Sequence, residues 1–159
     1  SDVCSSDLLA AIAIGDFFGL TADQINKGLA NYMPNNNRSQ LTKTANNTLI
    51  CDFYNANPSS MSAALHNLKS LTAENKIAII GDMFELGDEA DIQHKKMIAL
   101  AEELGFENTI YIGEHFFKHK NSANGVFLQT PAEALDYIKS HVNHTMKYPH
   151  TLVSGTRTK

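Results

Sequence analysis

A chain of 159 residues suits one domain, or one domain with part of another, and 43% hydrophobic residues are enough to bury a core. The net charge of −4 comes without any basic stripe, which argues against nucleic acid as the main partner. The longest apolar run, Leu8 to Ile14 with Phe17 and Phe18 after it, is too short to span a bilayer and lacks the basic flank of a signal peptide. Cys4 and Cys51 stand in no metal spacing, so a reducing, cytoplasmic setting is expected.

Residues 1–7 show no pattern. Leu8 to Phe18 predicts an alanine-rich apolar helix that Gly19 can close. Thr21-Ala-Asp-Gln24 is a capping box, and the short helix it opens carries Ile25, Leu29 and Tyr32. Two such helices cannot bury their apolar faces against each other alone, so another domain is expected to cover them. Met33-Pro-Asn-Asn-Asn-Arg38 reads as a linker. Arg38 is either a solvated loop cation or a clamp on phosphate. Ser39 to Thr48 predicts a strand pair turning at Ala45-Asn-Asn47.

Thr48-Leu-Ile-Cys51 predicts a short buried strand, with Cys51 as a small apolar filler. It stops at Asp52, and Asn57 then stands at an N-cap position with Pro58 at the first helical position. Met61, Leu65 and Leu68 recur at helical spacing behind them. Lys76 to Ile80 predicts a second buried strand, running into Gly81-Asp-Met-Phe-Glu-Leu-Gly87. A helix over Asp88 to Leu104 follows, with Ile92, Met97, Ala101 and Leu104 as its apolar stripe and Gly105 as its stop. Thr109 to Ile112 and Val126 to Leu128 predict two more strands. Thr130-Pro-Ala-Glu133 caps a helix that turns Leu135 and Ile138 inward. Thr151 to Val153 predicts a last strand, ending in Ser154-Gly-Thr-Arg157.

Strands and helices alternate, and the strands are apolar on both faces. That predicts an α/β fold, a mostly parallel sheet with helices on both faces. Parallel strands align their ends, so the loops after Cys51, Ile80 and Val153 should share one rim. Ligands bind at such rims, and the free N–H groups of a helix starting at Pro58 favour an anion there.

Several residues on that rim can carry chemistry. Asp52 can hold a ribose hydroxyl or be a plain anion beside a helix. Asn55 and Asn57 offer donors and acceptors, and they also form turns and caps. Asp82 and Glu85 can be a general acid/base pair or a solvated loop. Ser154 to Arg157 can present backbone N–H groups to an anion or be a simple turn. The seven histidines form no metal pattern, and His115 and His119 lie in a stretch rich in Phe and Lys. No Gly-x-x-x-x-Gly-Lys-Ser/Thr loop, no Gly-x-Gly-x-x-Gly and no nucleophile triad is present. The residues alone therefore point to an accessory α/β lobe for an anionic or polar ligand, with a stand-alone binding module left open.

Three stretches together resemble the Mur ligase family: Asp52-Phe-Tyr-Asn-Ala-Asn-Pro-Ser-Ser-Met61, Gly81-Asp-Met-Phe-Glu-Leu-Gly87 with His94 after it, and Ser154-Gly-Thr-Arg157. The resemblance runs from Leu8 onward. It implies a Rossmann-like C-terminal lobe over 34–159, preceded over 1–33 by an unplaced start and the last helices of a central ATPase domain. It also implies that the chain stops before the family's final strands and helix. The implied reaction is ATP-dependent joining of D-alanyl-D-alanine to UDP-N-acetylmuramoyl-tripeptide through an acyl phosphate. ATP and Mg2+ would be held mainly by the central ATPase domain. Arg38 and Asp52 would then reach the nucleotide, and Tyr54, Asn55 and Asn57 would line the interlobe cleft. Asp82 and Glu85 would border that cleft, and Thr156 and Arg157 would contact the dipeptide carboxylate. Ser154 and Thr156 stand where the family commonly has lysine and serine. A sibling amide ligase, such as one that adds glutamate to folate, is the neighbouring reading.

Overall fold

The computed structural model describes residues 2–32, 39–45, 47–53, 55–72, 75–106, 108–141 and 150–154, with the side chains of 2–7 and 150–154 left aside. The chain forms two compact units, Ser1–Pro34 and Asn35–Lys159.

The first unit is a helical hairpin. Helix α1, Asp2–Phe17, starts well before the apolar run at Leu8, so residues that show no amphipathic period still extend the helix. It ends in a Schellman motif: Leu20 N–H donates to Gly15 O, Gly19 N–H donates to Asp16 O, and Gly19 takes φ +75°. Helix α2, Ala22–Asn31, opens with the expected box, in which Thr21 Oγ1 accepts from Gln24 N–H and Gln24 Oε1 accepts from Thr21 N–H. Gly15 is buried where the two helices meet, and a methyl group there would run into Ile25. Leu9, Phe17 and Phe18 remain exposed, at 65%, 83% and 75%.

The second unit is built on six strands: β1 Gln40–Lys43, β2 Thr48–Asp52, β3 Lys76–Gly81, β4 Thr109–Ile112, β5 Val126–Leu128 and β6 His150–Ser154. Their order across the sheet is β1-β2-β6-β3-β4-β5. Only β1 runs antiparallel, as the hairpin partner of β2, with Gln40 opposite Cys51. Its turn is closed by Thr44 N–H donating to Asn47 O at 2.8 Å. The other strand pairs are parallel, as β-α-β crossovers require.

Helices α3 (Pro58–Ser70), α4 (Ala90–Glu103) and the single turn α5 (Glu114–Phe117) share one hydrophobic core with Ala78, Ile80 and Tyr111 of the sheet. Helix α6, Pro131–His141, packs with Tyr137 and Ile138 near Ile77 and Ile110, whose side chains alternate to the other side of their strands. The parallel sheet with helices on both faces is therefore as expected.

Three details differ from expectation. Cys51 is only half-buried, because Ile50 is the β2 residue that points into the core. On α4 the buried positions are His94, Met97, Ile98 and Ala101, a single i, i+3, i+4, i+7 face, and Ile92 is out of phase and 54% exposed. On α6 Leu135 is exposed and Ala134 takes the inward position.

Helix α6 shows how local chemistry sets these elements. Thr130 Oγ1 accepts from Glu133 N–H, and the Glu133 carboxylate accepts from Gln129 N–H at 2.8 Å. Thr130→Ala should cost ~1 kcal/mol in urea unfolding, as helix caps usually do. An unchanged midpoint would show that α6 is held by packing alone. Among the described residues no helix is long and apolar enough to cross a membrane.

Candidate functional site

The parallel register settles where the rim is. Asp52 of β2 pairs with Ser154 of β6, and Ile80 of β3 pairs with the same Ser154 from the other side. The carboxyl ends of β2, β6 and β3 are thus immediate neighbours, and β2 and β3 end about 10 Å apart, two strand spacings. Of the expected site residues, Arg38, Tyr54, Thr156 and Arg157 lie outside the described residues. The structure brings together Asp52, Asn55, Asn57, Asp82 and Glu85 on the segments that leave these strand ends.

Asp52 is half-buried and its Oδ1 accepts from Ser39 N–H at 3.0 Å. That bond fastens the residue after Arg38 in sequence to the end of β2. Ser39 takes φ +48°, a left-handed conformation that few residues other than glycine adopt, and the Asp52 bond supports it.

The turn after β2 is ordered by one alanine. Ala56 is 3% exposed and sits in the core, so Asn55 and Asn57 on either side of it are outside. Asn57 is the N-cap of α3, as expected. Its Oδ1 accepts from Ser60 N–H and from Ser59 Oγ, both at 2.8 Å, while Ser60 Oγ accepts from Asn57 N–H. The cap uses the oxygen of Asn57 and leaves its amide NH2 as the part that can meet a ligand. Asn57→Ala should therefore lower stability by ~1 kcal/mol. Asn55→Ala should leave it nearly unchanged, and equal losses in urea unfolding would contradict this division.

The loop after β3 holds its two acids in different surroundings. Glu85 is exposed and takes φ +65°. Asp82 is only 7% exposed, and its two oxygens accept from His115 N–H at 3.0 Å and Phe116 N–H at 3.1 Å, at the start of α5. Asp82 thus anchors the β4–α5 turn, while Glu85 stands at the surface. The reason is packing: Met83, next in sequence, is fully buried and pulls the chain down before Phe84 and Glu85 return to the surface.

A second group gathers around His94, to which the sequence assigned no role. His94 is fully buried on α4. Its Nδ1 lies 2.6 Å from Ala90 O, and its Nε2 accepts from Met83 N–H at 3.1 Å. A carbonyl can only accept, so the ring is neutral with its proton on Nδ1. His115 stacks on it at 5.0 Å and Phe116 meets it edge-on at 4.6 Å. Burial, first of all, holds the His94 imidazole below the ordinary histidine range, against the pull of the Ala90 carbonyl and Asp82. The signal was available: His94 is in phase with Met97, Ile98 and Ala101. His119 Nε2 lies 3.1 Å from Asp91 Oδ1, tying the end of α5 to α4. A hydrogen bond from Lys95 chiefly holds the exposed Asp91 carboxyl below its usual value. Among the described residues no group of three or more His, Cys, Asp or Glu side chains could hold a metal ion.

Fold and rim together define a Rossmann-like α/β lobe whose polar loops gather at the carboxyl ends of parallel strands. The model of the Mur ligase, glutamate ligase domain matches residues 37–146. The chain belongs to the Mur ligase family. It is 32% identical over 111 residues to the UDP-N-acetylmuramoyl-tripeptide–D-alanyl-D-alanine ligase of Rickettsia prowazekii, covering 70% of this chain and 25% of that protein. It is 40% identical over 90 residues to the ligase of the same name from Bacillus subtilis, covering 55% and 20%. Among solved structures, UDP-N-acetylmuramoylalanyl-D-glutamyl-2,6-diaminopimelate–D-alanyl-D-alanyl ligase from Acinetobacter baumannii superposes with a TM-score of 0.84 at 26% identity, over 99% of this chain and 34% of that one. The MurF ligase of Thermotoga maritima, solved with ADP, shares the fold at 18% identity and a TM-score of 0.75, over 92% and 33%. The chain thus spans about a quarter of the length of the curated relatives it matches.

Proposed function

We propose that this chain is the C-terminal lobe of an ATP-dependent carbon–nitrogen ligase that adds D-alanyl-D-alanine to UDP-N-acetylmuramoyl-tripeptide in peptidoglycan synthesis, in the cytoplasm. The observation that carries the reading is the rim. The stretches that resemble the family leave three adjacent parallel strand ends, and a relative of that name matches 70% of this chain.

In this reading the terminal carboxylate of the tripeptide takes the γ-phosphoryl group of ATP, and ADP leaves. The amine of the dipeptide attacks the acyl carbon, its C–N bond forms, the C–O bond to phosphate breaks, and a proton leaves the nitrogen. The lobe holds the amine against the acyl phosphate and keeps water out, which is where a closing domain contributes to rate. Asp52 and Arg38 face the nucleotide, at its ribose and its phosphates. Tyr54, Asn55 and Asn57 line the interlobe cleft, Asp82 and Glu85 border it, and Thr156 and Arg157 take the dipeptide carboxylate. Mg2+ would be held mainly by the central ATPase domain. The exposed apolar side chains of α1 support the reading that residues 1–33 are the last helices of that domain.

A chimera tests this. Residues 37–146 of this chain replace the matching stretch of the Bacillus subtilis relative, and product is followed with D-alanyl-D-alanine, D-glutamate and L-glutamate. Activity with the dipeptide within about tenfold of the parent is expected, a barrier difference near 1.4 kcal/mol. Asn55→Ala in the chimera should raise KM for the dipeptide several-fold, by about the worth of one hydrogen bond. The present chain alone should release no phosphate from ATP. A folded chimera that joins only a glutamate, or nothing, would overturn the assignment.

A further inference from the structure

The loop Met83–Leu86 carries Glu85 to the rim, yet among the described contacts it holds few polar ties to the body of the fold. One is central: Met83 N–H donates to His94 Nε2 at 3.1 Å, eleven residues along the chain and fully inside. We propose that His94 is the positioning residue of this rim loop: neutral, with its proton on Nδ1, it fixes the path of the backbone from Met83 to Leu86, and a proton taken up on Nε2 releases that path. The loop's importance for catalysis rests on the ligase reading; its dependence on His94 does not.

Ala90 O occupies Nδ1 and can only accept, so Nε2 is the one nitrogen able to receive the Met83 N–H. Taking a proton from solvent makes Nε2 a donor. Met83 N–H then faces another N–H inside the core, where a buried donor without an acceptor is costly. A replacement partner stands ready: Asp82 Oδ1 lies 3.5 Å from Nε2, too far for a good hydrogen bond now and close enough to attract an imidazolium. Turning toward it draws the ring away from Met83. It also loads the carboxylate that holds His115 N–H and Phe116 N–H, so the loop and the β4–α5 turn respond together.

The charges around the ring are few. Asp82 faces it from the loop after β3 and favours the protonated form. His115 and His119 face it from α5 and its end, and disfavour that form. Helix α3 turns only Met61, Ala64, Leu65 and Leu68 inward, so it brings no buried charge. Because burial holds the folded-state value below the ordinary one, the unfolded chain binds this proton first as pH falls. The contribution to stability is complete above the ordinary histidine range and declines as pH drops through that range toward the lowered value.

The test is NMR on the whole 15N-labelled chain, without nucleotide or substrate. At about pH 8 the His94 ring should show the Nδ1–H tautomer, and the Met83 amide should exchange on the order of tenfold more slowly than that of Phe84. As pH is lowered to about 5, the Met83, Phe84 and Glu85 amide signals should move with the midpoint of the His94 ring signals. His115 and His119 are followed by their own ring signals. His94→Gln keeps an acceptor but cannot take a proton, so it should keep the Met83 protection and abolish the pH-linked movement. His94→Leu should lose both. An Nε2–H tautomer, an unprotected Met83 amide, movement that tracks His115 or His119, or movement that persists in His94→Gln would each overturn the proposal. If both variants fail to fold, the tautomer and titration of the unaltered chain still decide. None of these outcomes depends on ligase activity, so this proposal and the chimera experiment can fail separately.

Discussion

Gly113→Ala is expected to destabilise the α/β unit by about 4 kcal/mol. Gly113 takes φ +124° and ψ 164°, a backbone region that essentially only glycine enters. Space is the second obstacle. A Cβ at this position would come within 3.0 Å of all three carboxyl-group atoms of Asp82, which real Cβ atoms do not do. Asp82 cannot retreat without giving up His115 N–H and Phe116 N–H, and each abandoned buried donor costs about 1–3 kcal/mol. Gly87→Ala is the control: φ is +53° there, but nothing lies within 4 Å of the added methyl group, so only about 1 kcal/mol of strain is expected. Urea unfolding of the two variants side by side reads the difference. Equal, small losses would mean that Asp82 is not the keystone of the β4–α5 turn.

Leu65→Ala should cost about 3 kcal/mol, within the 2–5 kcal/mol usual for such truncations. Leu65 is fully buried on the inner face of α3, in the same core as Met61, Leu68, Ile80 and Tyr111. Those neighbours come from the sheet and from α3 itself and cannot all close on the space left behind, so most of the cavity should persist. Leu135→Ala removes the same atoms from a side chain that is 53% exposed on α6 and should cost well under 1 kcal/mol. Comparable losses from the two leucines would contradict the orientation of one of these helices.

Much of this architecture could be read from the residues, because it is set locally. The Thr21, Asn57 and Thr130 caps follow from side-chain oxygens placed one turn before an N–H. The Gly19 and Gly105 ends follow from positive φ, with Phe106 N–H donating to Ala101 O behind Gly105. The strands announce themselves as apolar runs between glycines and polar turns. What escaped was either out of phase or non-local. Ile92 and Leu135 are apolar yet face water, and His94 is polar yet sits in the core; residue type alone misassigns all three, whereas helical phase places them. The four residues of α5 are too few to show a period. Asp82 looks like any loop acid until the fold brings it against residues more than thirty positions away. The rim was legible as three polar loops, but the tie between Asp52 and Ser39 was not, since a hairpin register is needed to bring them together.

The position of β6 has a kinetic consequence. Five strands precede it in sequence, yet it lies between β2 and β3, which make no ladder with each other. As the polypeptide emerges from a ribosome, the hairpin β1–β2 and the trio β3–β4–β5 can each form, but no strand pairing joins them until the segment His150–Ser154 is released. Assembly of the lobe is therefore expected to be a late, long-range event. A chain halted before His150 should expose two unsatisfied edges where β6 belongs, and those are the surfaces most apt to recruit chaperones or to aggregate.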